Sequence, residues 1–314
     1  MTYNGEAIFN EDGSIRKVQE GEDGRSYSSN LAKLLKQLPK LQNLQEGKPP
    51  SPVMAHISLT NACNLTCSFC CFANRDISEK MPTEKVFQAL ESFKAIGVTG
   101  VEFTGGGEPS IHPHFKEIVQ YAKDLGFSLG ICTNGARFGA DRPIKKDIVE
   151  LFDWVRLGMY GFYEGYDYDL SVFEGTNCKP SAAYVWDENL ETSKNPNITG
   201  DWSDVKNKRV LSKKFQTTEN FIRMLDWVEE NGIPCRIAFN AIKDVKETEK
   251  DIETIRGIIE HYEEDRGRKL KYAFLSDFNF KGERRNDHCY MHICLLYTSP
   301  SPRDVEESRM PSSA

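Results

Sequence analysis

From Val53 onward, short apolar runs alternate with longer segments of helical period, and this alternation constrains the fold more than any other feature. Val53–Leu59, Val98–Phe103, Phe127–Cys132, Trp154–Met159, Ile233–Ala241 and Leu270–Leu275 read as strands. Thr83–Ile96, Pro113–Leu125, Ile144–Phe152, Thr218–Glu230 and Thr248–Tyr262 read as helices between them. The punctuation agrees: Pro82 precedes the first helix, Gly97 and Gly126 follow the first two, and Asn231-Gly232 follows the fourth. Strands joined through helices pair in parallel by right-handed crossovers. The expected fold is therefore α/β, a partial (βα)6 TIM-type barrel, since six units are too few for the closed eight-unit one. In such sheets the chemistry lies at the carboxyl ends of the strands.

The flanks are read separately. Residues 1–50 form a polar extension; its leucines 31, 34, 35, 38, 41 and 44 keep a helix-like spacing that Pro39 interrupts. The segment GKPPSP leads as a stiff linker into the expected core, residues 51–276. Residues 160–213, rich in Tyr, Asp, Asn and Trp, form a long insertion, read either as a substrate cover or as a surface elaboration. Residues 277–293 open a C-terminal extension, and residues 294–314 read as a translated transposon-type sequencing adapter that has no structural role.

Composition narrows the function. The 314 residues carry a net charge of −7, which argues against a general nucleic-acid binder. No apolar run approaches the roughly 20 residues of a membrane span, and the polar start lacks a secretory signal, so the cytoplasm is the expected compartment. Nine cysteines in such a chain point to metal or catalysis rather than to disulfides.

Three of them stand together as Cys63-x3-Cys67-x2-Cys70 in SLTNACNLTCSFCCF. Three thiolates on one short loop suit three irons of a cubane and leave the fourth iron open. Phe69, just before the last cysteine, is placed to shield such a cluster. A zinc site is the alternative, but zinc prefers four protein ligands and no second pair stands nearby. Cys71 would point away from the same cluster and reads as packing. Thirty-five residues after Cys70, the second strand runs into Gly105-Gly106-Gly107-Glu108-Pro109. Glycines admit close backbone approach to a ligand, and Glu108 offers a carboxylate.

The CxxxCxxC triplet with an aromatic before its last cysteine, followed by a GGE loop after the second strand, resembles the radical S-adenosylmethionine (radical SAM) superfamily over residues 53 to about 275. The resemblance implies a 4Fe–4S cluster on Cys63, Cys67 and Cys70 and S-adenosylmethionine held by Gly105, Gly106, Gly107 and Glu108. Phe69, Thr133 and Asn134 at the third strand end, and Asn240 at the fifth, are further expected cofactor neighbours. Thr133-Asn134-Gly135 is equally a turn signal. Many relatives carry a serine where Gly158 stands, which puts a hydroxyl contact there in doubt; Arg156 reads either as reaching a carboxylate or, in the first place, as an exposed strand-end residue. His112 and His114 flank Pro113 ahead of a helix, where capping or a surface position is expected. The implied activity is reductive cleavage of S-adenosylmethionine to a 5′-deoxyadenosyl radical that takes a hydrogen atom from a substrate. An external one-electron donor such as flavodoxin or ferredoxin is implied. A peptide or protein is the first substrate class; a small molecule or nucleotide precursor is the second, and a non-catalytic zinc-binding interaction protein is the reading from another class. Cys289-Tyr290 resembles the opening of a SPASM or twitch extension, whose auxiliary Fe–S cluster would need cysteines downstream.

Overall fold

The computed structural model describes residues 2–3, 6–7, 38–48, 51–65, 67, 70, 72, 75–138, 144–159, 168–186, 198–199, 217–239, 245–275 and 291–294. Its main sheet has eight strands, numbered here in chain order. They are β1 Met54–Ile57, β2 Gly100–Phe103, β3 Ser128–Thr133, β4 Trp154–Gly158, β5 Lys179–Trp186, β6 Cys235–Phe239, β7 Ala273–Leu275 and β8 Met291–Cys294. The spatial order is β7-β6-β5-β4-β3-β2-β1-β8. Every pair from β1 to β7 is parallel, and β8 alone lies antiparallel, with His292 opposite His56 and Cys294 opposite Met54. The parallel α/β architecture is as expected. The sheet exceeds the six expected strands by two: β5 lies inside the segment read as an insertion, and β8 spans the end of the segment read as a C-terminal extension.

The physical reason β5 is hard to read is local. Among the described residues, the crossover from β4 to β5 holds only a 3-10 turn at Ser171–Phe173 and no helix. The strand itself, KPSAAYVW, opens on Lys, Pro and Ser before it turns apolar. Pro180 sits at its second residue, where a missing amide is best tolerated. Cys294, the single described residue of the segment read as adapter, belongs to β8.

The helices are α1 Leu38–Gln45, α2 Thr83–Ala95, α3 Phe115–Asp124, α4 Lys146–Val149, α5 Thr218–Asn231 and α6 Val245–Arg266. Pro39 falls in the first turn of α1, where its lacking N–H would have had no helical partner, so it starts the helix instead of interrupting it. Lys40 then reaches the carbonyls of Pro52 at 2.5 Å and Gly97 at 2.8 Å, tying α1 to the entry of β1 and the exit of α2. Gly97 and Gly126 take positive φ after α2 and α3, as their places in the sequence require.

Side chains alternate along the strands, and the burial follows. Ala55, Ile57, Val101, Phe103, Leu129, Ile131, Val155 and Leu157 are buried with Leu90 and Phe93 of α2 and Phe115, Ile118 and Val119 of α3 in one core. Phe103, Phe115 and Phe152 meet with ring centroids 6.2–6.4 Å apart. Each such buried side chain contributes about 1.5–3 kcal/mol. The intervening residues, among them His56, Glu102, Cys132, Trp154 and Arg156, share the opposite face of the sheet. A wholly buried parallel strand would be apolar throughout; this polar alternation marks a face kept for something other than core. Among the described residues no helix is long and apolar enough to cross a membrane.

Candidate active site at the ends of β1 to β3

Three loops leave the carboxyl ends of β1, β2 and β3 side by side. They hold most of the buried polar groups among the described residues. Of the twelve, ten belong here (Ser58, Thr60, Asn61, Asn64, Arg75, Glu108, Ser110, His112, Thr133 and Asn134), leaving Glu229 and Asp251 elsewhere. Buried polar groups must find hydrogen-bond partners, so these loops are locked to one another.

Glu108 is the centre of the lock and only 2% exposed. Its Oε1 accepts from the Ser110 amide at 3.1 Å, the Ser110 hydroxyl at 2.6 Å and the Thr133 hydroxyl at 2.7 Å. Its Oε2 accepts from the Asn134 amide at 2.7 Å. A carboxylate offers about four acceptor positions, two on each oxygen. The network therefore leaves room for a further donor at Oε2 alone. Asn134 extends the lock to the cysteine loop: its Nδ2 donates to Asn64 Oδ1 at 2.6 Å and lies 3.7 Å from Cys63 Sγ.

The glycines serve the same packing. Gly106 and Gly107 lie against the backbone just ahead of the triplet, with the Gly107 amide bonded to Thr60 O at 2.6 Å and the Glu108 amide to Ala62 O at 2.8 Å. A Cβ on Gly107 would come within 1.8 Å of the Ala62 carbonyl oxygen. Gly106, at φ +61°, would place its Cβ 2.2 Å from Ser58 Oγ. Close approach is required here, and the partner in view is the first loop itself.

Cys63, Cys67 and Cys70 are free, partly buried thiols on that first loop. Burial, and then mutual repulsion with the other two sulfurs, holds the Cys67 thiol well above its ordinary value. Burial likewise pushes Cys63 up to about 12, with Arg75 opposing the rise. Arg75 was missed in the sequence, although an arginine five residues after the last cysteine supplies the positive charge that three clustered thiolates need. It is buried; Nε donates to Asn61 O at 2.9 Å, Nη1 to Phe72 O at 2.6 Å, and Nη1 lies 3.4 Å from Cys70 Sγ. Among the described residues, no group of three or more His, Cys, Asp or Glu is placed to hold a single metal ion.

His112 is buried, so the expected surface position does not hold for it, while its ring meets the backbone just ahead of α3. Its Nδ1 accepts from the His114 amide at 3.2 Å, which leaves the proton on Nε2 to donate to Met81 O at 3.1 Å. His114 does begin α3 and pairs with Glu117 at the surface. Gly158 carries no hydroxyl, and the Tyr168 hydroxyl donates to its carbonyl at 3.1 Å. Phe69, Cys71, Asn240 and Cys289 lie outside the described residues.

Residues 57–164 match the family model described as the radical SAM superfamily, a span that takes in all three loops. Residues 57–164 thus carry a radical SAM domain. Among curated relatives of the radical SAM domain, an S-adenosylmethionine-dependent nucleotide dehydratase of Selenomonas ruminantium is 31% identical over 98 residues, covering 31% of this chain and 35% of the relative. The sporulation killing factor maturation protein SkfB of Bacillus subtilis is 34% identical over 85 residues, covering 27% and 20%. The matched stretch thus spans about a third or less of these relatives. Among solved structures, SuiB of Streptococcus suis bound to S-adenosylmethionine aligns with a TM-score of 0.45 at 19% identity, covering 80% of this chain and 57% of that one.

Proposed function

We propose that the chain is a radical SAM enzyme whose Cys63, Cys67 and Cys70 hold a 4Fe–4S cluster. The observation that carries this is the donor set: three soft thiols on one buried loop, with the Arg75 guanidinium and the Asn134 amide directed at two of the sulfurs. That set fits a cluster of thiolate-bound irons, and both neighbours donate to sulfur, a usual means of tuning such a centre. When bound, the reduced cluster supplies one electron for cleavage of S-adenosylmethionine to a 5′-deoxyadenosyl radical, which takes a hydrogen atom from the substrate. The chain's own residues position and seclude. Gly105, Gly106, Gly107 and Glu108, with Thr133 and Asn134, form the rim that would receive S-adenosylmethionine. Glu108 fixes the rim and keeps a free acceptor position at Oε2. Phe69 and Asn240 complete the proposed neighbours, and an external donor such as flavodoxin or ferredoxin provides the electron.

A peptide or protein is the first substrate class, in line with relatives named as the maturation protein SkfB and the mycofactocin maturase MftC. A small molecule or nucleotide precursor is the second, in line with the nucleotide dehydratase and a GTP 3′,8-cyclase among the relatives. Cys289 is proposed as the first ligand of an auxiliary cluster completed by a longer C-terminal region.

The test is anaerobic reconstitution followed by iron, sulfide and zinc analysis, with S-adenosylmethionine binding by calorimetry. About four irons per chain are expected, lost in Cys63→Ala, Cys67→Ala and Cys70→Ala. Stoichiometric zinc without iron or sulfide would overturn the reading.

A further inference from the structure

Below the rim, on the face of the sheet turned away from α2 and α3, a polar row crosses four strands. His56 on β1 stands opposite Glu102 on β2, and Cys132 on β3 stands opposite Arg156 on β4. His56 Nε2 lies 3.8 Å from Glu102 Oε2, Cys132 Sγ donates to Glu102 Oε1 at 3.1 Å, and Arg156 Nη1 lies 3.9 Å from Cys132 Sγ. His56, Glu102 and Cys132 each precede the last residue of their strand, and Arg156 lies two before the end of β4. At about 3.3 Å of rise per residue, the row sits one or two residues beneath the loops of the candidate site.

The Arg156 end of the row has been given room. The Trp154 indole packs against β3 at Gly130, where a Cβ would come within 2.1 Å of the ring. The guanidinium carbon of Arg156 lies 5.5 Å from the Trp154 ring centroid. A cation–π contact of this kind steadies the guanidinium, of which only Nη1 is directed at Cys132 among the described residues. Arg156 is exposed, and no carboxylate pairs with it among the described residues. Glu102, on the neighbouring part of the row, is engaged with His56 and Cys132.

We infer that Arg156, braced on Trp154, is the anchor for an oxyanion of the substrate, a carboxylate or a phosphate, bound on this face beneath the cofactor rim. Glu102 and His56 set the polarity of the other end of the same site, so the substrate enters with its anionic end toward β4. The inference rests on the reading of the chain as a radical SAM enzyme. It narrows the substrate to one with an acidic group close to the carbon that loses hydrogen.

The experiment titrates the reconstituted full chain with pyrophosphate and, separately, with succinate, following tryptophan fluorescence and heat. Iron content and S-adenosylmethionine affinity are measured on the same samples. At least one probe is expected to bind, more weakly as salt rises. Affinity should fall about tenfold or more in Arg156→Gln, and partly recover in Arg156→Lys. Arg223→Gln, on the exposed side of α5, should bind as the unaltered chain does. Pyrophosphate alone binding assigns a phosphate-bearing substrate, and succinate alone a carboxylate. Failure of both probes to bind, or equal binding by Arg156→Gln, overturns the inference. So does displacement of the probe by S-adenosylmethionine, because Arg156 would then belong to the cofactor site. Loss of iron or of cofactor binding in the unaltered chain would instead be the failure of the parent reading.

Discussion

Glu108 shows how much one side chain can organise. Four donors from two loops converge on it, with the loops' other ties running through Asn134 and the glycines. In Glu108→Gln the amide must place an NH2 against donors such as the Asn134 N–H. The expected loss is about 1–3 kcal/mol in the cluster-free chain, read by urea unfolding; an unchanged midpoint would deny Glu108 its framework role. Gly107→Ala forces a Cβ onto the Ala62 carbonyl, and reconstituted iron content should fall with it. His112 adds a pH dependence. Burial, the largest influence, holds its imidazole below the ordinary 6.5. The folded state therefore takes the proton less readily than the unfolded chain. Its contribution is full above pH 6.5 and is lost as the pH falls. Thermal unfolding from pH 7.5 to 5.5 should show a steeper decline in the unaltered chain than in His112→Gln.

At the scale of elements, α5 carries its own boundaries and also fixes a distant strand. Thr217 caps it by accepting from the Asn220 amide at 3.1 Å, and Gly232 ends it at φ +64°. Thr217→Ala should cost about 1 kcal/mol. Near the other end, the Glu229 carboxylate accepts from the amides of Lys271, Tyr272 and Ala273, at the entry of β7. Glu229→Ala leaves these donors without their acceptor, and about 1–3 kcal/mol should be lost in the same unfolding measurement. The closing glycine was legible as an Asn-Gly after a helical run. The Glu229 anchor was not, since an acidic residue near a helix end reads as solvated surface. The strand β5 was hidden for a related reason: among the described residues no helix precedes it, so no helical period in the sequence announces a crossover.

For the whole molecule, β1 is the strand that delivers the cysteine loop, and β8 covers its outer edge. Removing residues 291–314 uncovers that edge and should lower both the melting temperature and the iron retained after reconstitution. Removing only residues 295–314 should leave both unchanged. A loss of stability in the shorter truncation would show that the segment read as adapter takes part in the fold.

The sequence by itself determined the parallel α/β class, the cysteine triplet, the glycine-glutamate loop and the family to which they point. Each of these is a local pattern, carried by spacing, turn residues and side-chain alternation within a few positions. Tertiary structure decided what those patterns are for. Glu108 meets Asn134 across 26 positions of the chain, and Asn134 meets Asn64 across 70. Arg75 turns back onto the sulfurs, and Arg156 reaches the row begun by His56 through the register of three intervening strand pairings. Such convergences arise only when the crossovers bring the carboxyl ends of β1 to β4 together, because no local periodicity encodes which loops become neighbours.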